Sequence, residues 1–130
     1  MRKGCIVFIA ILFASASIGD ILYVSKGNIF DGFFKEPYEA CVFLMSDGAF
    51  YLFTTRNDGF VSGSVSHWSS LLKPDGYTIE DAIIIMHNHF SNPFPSEPDK
   101  RTLTQLIMLG FDGKFGIYVT STSKIYWIKD

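Results

Sequence analysis

A chain of 130 residues has room for one domain and one core, and 48% apolar residues with 13 Phe are ample to build it. Eleven basic residues against 13 acidic ones give a net charge of −2 with no basic cluster. That balance excludes a nucleic-acid surface, which concentrates Lys and Arg on one face.

Residues 1–19 read as an export signal rather than as part of the fold. Arg2 and Lys3 form a positive n-region, Cys5 to Phe13 an apolar h-region, and Ala14-Ser15-Ala16 a small-residue cleavage site, with Ser17-Ile18-Gly19 as the alternative. The apolar run is shorter than the roughly 20 residues a spanning helix needs. In the alternative reading Ile18, Ile21 and Leu22 extend it into an uncleaved anchor, the one case in which the chain meets a membrane. Cleavage after Ala16 removes two of the 11 basic residues and none of the 13 acidic ones, moving the net charge from −2 to −4. The expected product is an exported protein, periplasmic or secreted, whose domain spans residues 20–130. Cys5 leaves with the signal, and Cys41 then has no intrachain disulfide partner and reads as a small core hydrophobe.

Ile21 to Val24 and Ile29-Phe30 mark a short leading strand or helical turn, with Phe33 and Phe34 as core anchors and Pro37 as a boundary. Glu39 to Phe43 and Gly48 to Thr54 read as strands joined through Asp47-Gly48, a hairpin-turn dipeptide. Arg56-Asn57-Asp58-Gly59 reads as a turn and the Ser-rich stretch through Ser70 as polar loop, with His67 either on the surface or beside a groove. Lys73 to Gly76 is another turn. The run Ala82-Ile83-Ile84-Ile85 reads as a buried strand, because β-branched residues fit a packed, pleated surface. Glu97 to Leu109 reads as a helix started by Ser96 and Pro98, with Leu103, Leu106, Ile107 and Gly110 on its inward stripe. Phe115 to Thr120 and Lys124 to Ile128 form a closing hairpin. Strands with interspersed helices give an α/β fold.

The chemistry gathers where the buried strand ends. Successive side chains on a strand alternate faces, so His87 and His89 emerge on the same side. Ten residues later a Pro- and Asn-rich turn delivers Asp99. Two neutral imidazoles and a carboxylate are a three-ligand set for Zn²⁺ that leaves a fourth position open, as catalytic zinc sites require. Each part also has an ordinary explanation: a strand-end histidine pair, and a capping box in which Ser96 and Asp99 satisfy the N–H groups of a helix start. Glu39 is the one charged residue in a run that is otherwise apolar to Met45, so it is paired, exposed at the strand end, or functional.

His87-Asn88-His89, then six residues, then Ser96-Glu97-Pro98-Asp99, resembles the His-x-His-(x7)-Ser-x-x-Asp motif of the JAMM (JAB/MPN+) metalloproteases, closest to the RadC-like branch. Glu39-Ala40-Cys41-Val42-Phe43-Leu44 is similar to the segment that carries that family's Glu, and the likeness covers about residues 36–128. Two features depart from the pattern: the loop between His89 and Ser96 is one residue short, and Val42 stands where Gly is common. The resemblance implies a single JAB/MPN domain with a mixed central β-sheet flanked by helices, an architecture related to cytidine deaminases. It implies Zn²⁺ on His87, His89 and Asp99, Glu39 as general base, and Ser96 as hydrogen-bond donor to the reacting oxygen. The expected activity is hydrolysis of peptide or isopeptide bonds in a peptide or protein substrate. The alternative is a catalytically inactive JAB-fold protein-binding module, for which the shortened loop is the best support.

Overall fold

The computed structural model describes residues 19–35, 38–54 and 65–129. Residues 1–18 of the expected export signal, the expected boundary at Pro37 and the turn expected over residues 56–59 lie outside the described residues. Six strands form one mixed sheet: β1 (Ile21–Lys26), β2 (Ala40–Met45), β3 (Phe50–Thr54), β4 (Ala82–His89), β5 (Lys114–Val119) and β6 (Lys124–Ile128), in the order β1-β6-β5-β4-β2-β3. Only β4 and β5 run parallel; every other neighbouring pair is antiparallel. Parallel neighbours need a long crossover. Here the chain makes it through helix α2 (Glu97–Met108), and the turn that starts that crossover carries the candidate site.

Alternation along the strands builds a core on each face. On one face Phe43, Ile85, Phe115 and Ile117 pack with Leu103 and Leu106 of α2 and with Trp68 and Leu72 of α1 (Val65–Leu72). On the other face Val42, Met86, Ile125 and Trp127 pack with Phe30 and Phe34, which a 3₁₀ turn at Asn28–Gly32 brings across the sheet. Each fully buried Leu, Ile or Phe stabilises the fold by about 1.5–3 kcal/mol. Both faces of β4 are therefore covered, and residues 85–88 are buried in the interior.

The leading segment is a strand followed by a 3₁₀ turn, and β1 closes the sheet edge against β6. Ties at the chain's two ends reinforce that edge: the Gly19 N–H donates to the Lys129 carbonyl at 2.9 Å, and the Lys129 N–H to the Asp20 carbonyl at 2.7 Å. The β2–β3 turn uses Gly48 at φ 93°, where an L side chain would be strained. The Ser-rich stretch is a helix rather than a loop from residue 65 onward. Val65, Trp68 and Leu72 fall on one helical face and are all buried, so packing of that stripe outweighs the weak helix preference of Ser and His.

Candidate metal centre

The site is assembled from the start of β2, the end of β4 and the start of α2. His87 and His89 leave β4 on one face, the face that carries Ile85 and Phe115, and their Nε2 atoms lie 3.0 Å apart. Asp99 spans the pair, with Oδ1 at 3.1 Å from His87 Nε2 and Oδ2 at 3.1 Å from His89 Nε2. Glu39 sits farther out, its Oε2 at 4.0 Å from His87 Nε2 and 3.9 Å from His89 Nε2.

The loop that is one residue short still delivers Asp99, because the helix cap directs it. Ser96 Oγ accepts the Asp99 N–H at 3.2 Å, and the Ser96 N–H donates to Asp99 Oδ2 at 2.8 Å. The capping box and the approach to the histidines therefore use the same side chain. Leu103 and Leu106 anchor α2 on the sheet, and Gly110 at φ 101° ends it. Ser96 keeps its hydroxyl hydrogen for a further acceptor, since in the cap it only accepts.

The donor set is arranged for a cation. His89 Nδ1 lies 2.8 Å from the Asn92 carbonyl oxygen, which can only accept, so Nδ1 carries a hydrogen. In the neutral ring Nε2 is then a lone pair, and it faces the Asp99 carboxylate and the second imidazole. Two acceptors this close need a hydrogen or a cation between them: a proton on the ring or on the carboxyl, or a metal ion. The pKa values express the proton form. Burial opposes charge on His89, but the Asp99 hydrogen bond, the Asn92 carbonyl and the Asp99 and Glu39 charges together raise its pKa. For Asp99 burial is again the largest single influence and favours protonation, but the bonds to His87 and His89 and the Ser96 N–H outweigh it and hold the carboxyl far below its ordinary range. Burial raises the pKa of Glu39 against the opposing pull of both histidines.

Glu39, His87 and His89 form a group that could hold a metal ion, with their ligand atoms all within 4.8 Å of one another. Asp99 is the nearer carboxylate to both imidazoles, so the same two histidines can take either acid as third donor. Cys41 lies opposite His87 across the β2–β4 ladder and is buried; burial, then the Glu39 and Asp99 charges, push its thiol well up and keep it protonated. A protonated thiol is neither nucleophile nor ligand. His67 is on the exposed side of α1, and the neighbouring Trp68, not His67, lines the open cavity of about 1060 Å³ above the histidines.

Sequence reasoning passes over three residues that shape the site. Asn92 fixes the His89 ring, and Asn88 and Thr54 bond the backbone around Glu39. The signal for Asn88 is its place between two histidines on a strand, which turns it to the opposite face. No protein-family model, curated protein or solved structure matches the chain.

Proposed function

We propose that this chain is an exported zinc-dependent metallopeptidase that hydrolyses peptide or isopeptide bonds, a JAMM-type enzyme nearest the RadC-like branch on a JAB/MPN fold akin to the cytidine deaminases. The observation that carries the reading is the convergence of His87 and His89 from the end of β4, Asp99 from the start of α2 just after it and, one step farther out, Glu39 from the sequence-distant start of β2. Tetrahedral zinc bonds of about 2.0–2.2 Å set neighbouring donors roughly 3.3–3.6 Å apart, somewhat wider than the 3.0 and 3.1 Å contacts here, so the donors would spread by a few tenths of an ångström around the ion. Export rests on Arg2, Lys3, the apolar run and Ala14-Ser15-Ala16.

When bound, zinc supplies a water acidified toward neutrality and a Lewis acid for the substrate carbonyl. The protein's own residues do the rest. Glu39, largely buried and with a raised pKa, accepts a proton from the attacking water and returns it to the leaving nitrogen. The Ser96 hydroxyl donates to the oxygen that becomes negative as the carbonyl is attacked. Asn92 holds His89 through Nδ1, and the Ser96 N–H holds Asp99 through Oδ2, so neither ligand needs to reorganise.

Phe90 and Phe94 support a peptide or protein substrate. They stand 79% and 63% exposed on the loop between His89 and Ser96, and exposed aromatic side chains beside a cavity are typical of protein-binding surfaces. The same pair favours a second reading, a catalytically inactive JAB-fold protein-binding module. Zinc analysis of the purified protein, joined to a screen of peptide and isopeptide substrates, separates the two. One zinc per chain with turnover sustains the hydrolase, and a protein that binds a partner without zinc or turnover belongs to the second.

A further inference from the structure

Glu39 does not lie in the sheet ladder that flanks it. The β2–β4 pairing ends at Cys41 opposite His87, and the β2–β3 pairing ends at Ala40 opposite Thr54. Beyond those rungs the backbone groups around Glu39 are taken up by side chains. Asn88 Oδ1 accepts the Ala40 N–H at 2.8 Å, Asn88 Nδ2 donates to the Tyr38 carbonyl at 3.3 Å, and the Thr54 hydroxyl donates to the Glu39 carbonyl at 2.7 Å. Asn88 is 5% exposed, and among the described residues no buried side-chain polar atom lacks a partner.

We propose that Asn88 and Thr54 form a side-chain clamp that positions Glu39, fixing its backbone from both sides so that its carboxylate stands beside the histidines without touching them closely. Asn88 belongs to the opposite face of β4 from His87 and His89. One strand end thus presents the histidines on one face and secures the general base from the other. A free strand end would let residue 39 swing with the preceding segment, and a displacement of about 1 Å can cost on the order of 10²-fold in rate. An amide is suited to the task because it offers an acceptor and a donor to one peptide segment, with no charge to bury. Thr54 places a single hydroxyl on the remaining carbonyl. Both are positioning residues, and the inference rests on the proposed role of Glu39.

The test uses Asn88→Ala and Thr54→Val, each alone and combined with Glu39→Gln, in the full chain. The Asn88→Ala change should speed amide exchange at Ala40 on the order of tenfold, the consequence of one lost hydrogen bond, while exchange in the β4–β5 ladder stays as in the parent. Zinc content should not change. For a validated substrate kcat should fall about 10²-fold with KM nearly constant, and in the Glu39→Gln background the same substitution should add less than about twofold, because the group it positions is already disabled. Thr54→Val, nearly isosteric, should move exchange and kcat in the same direction and carries the test should Asn88→Ala not fold. Equal losses in both backgrounds, loss of zinc, or faster exchange spread through β4 and β5 would overturn the clamp and make Asn88 a general packing residue. If the parent cleaves nothing, that failure belongs to the hydrolase reading, and local exchange at Ala40 still decides whether the clamp holds residue 39.

Discussion

Asp99 receives the Ser96 backbone N–H on Oδ2 at 2.8 Å, and this bond ties the first turn of α2 to the histidine pair, since the same oxygen lies 3.1 Å from His89 Nε2. A helix cap and a metal donor are usually competing explanations for such an acid. Here one carboxylate caps the helix and also stands where the proposed metal donor would, with its second oxygen 3.1 Å from His87.

Asp99→Asn separates the two roles. The amide oxygen still accepts the Ser96 N–H, so the helix cap survives, while the loss of charge removes both the pairing that steadies His89 in the metal-free protein and the proposed zinc donor. Affinity should fall by more than the roughly 10–100-fold that outer partners of a metal site command. Unchanged affinity in a competition titration would transfer the third donor position to Glu39.

Ser96→Ala removes the acceptor for the Asp99 N–H but leaves the bond from the Ser96 N–H intact. An N-cap substitution of this kind costs about 1 kcal/mol. Denaturant midpoints should shift accordingly, zinc should remain bound, and turnover should drop if the hydroxyl serves the reacting oxygen.

Stability of the metal-free protein should pass through a maximum with pH. Asp99 has a lowered folded pKa, so its stabilising share is complete above the ordinary carboxylate value of about 4 and is lost as pH falls. His89 has a raised folded pKa, so its share is complete below about 6.5 and is lost as pH rises through the folded value. Glu39, also raised, acts in the same sense as His89 at lower pH, opposing Asp99 there, but the Asp99 shift is the larger. In the proposed metal-bound form zinc would take the place of the proton between these groups. The alkaline loss should therefore vanish with metal bound, which urea midpoints at pH 6 to 9 with and without chelator would show. An identical alkaline slope in both forms would contradict the shared cation position.

Processing after Ala16 leaves Gly19 in place, and with it the bond to the Lys129 carbonyl that begins the fold. N-terminal sequencing of fractionated protein should find Ser17 as the first residue, or Asp20 for the alternative site after Gly19, in an exported fraction. A full-length cytosolic product would defeat the export reading.

What the sequence made legible follows from how local each feature is. His87 and His89 share a face by strand alternation alone, the β2–β3 hairpin is signalled by Asp47-Gly48, and α2 by Ser96, Pro98 and its Leu stripe. The helix over residues 65–72 was harder because Ser66, His67, Ser69 and Ser70 hide the spacing of Val65, Trp68 and Leu72. Placement of β1 against β6 depends on a pairing across about a hundred residues, which no local pattern carries. Asn88 and Thr54 stayed hidden for the same reason: their partners are backbone groups of residues 38–40, and backbone positions leave no mark in side-chain chemistry.

The central claim meets its most direct test in Glu39→Gln, assayed for zinc content and for hydrolysis of a validated peptide or isopeptide substrate. The amide keeps the volume and the hydrogen-bonding capacity of the side chain but cannot accept the proton. A general base contributes on the order of 10²–10⁴ in rate, so hydrolysis should fall by about that factor with one zinc still bound per chain. Cleavage at the parent rate, or loss of zinc together with activity, would contradict the assignment of Glu39 as base beside a metal held by His87, His89 and Asp99.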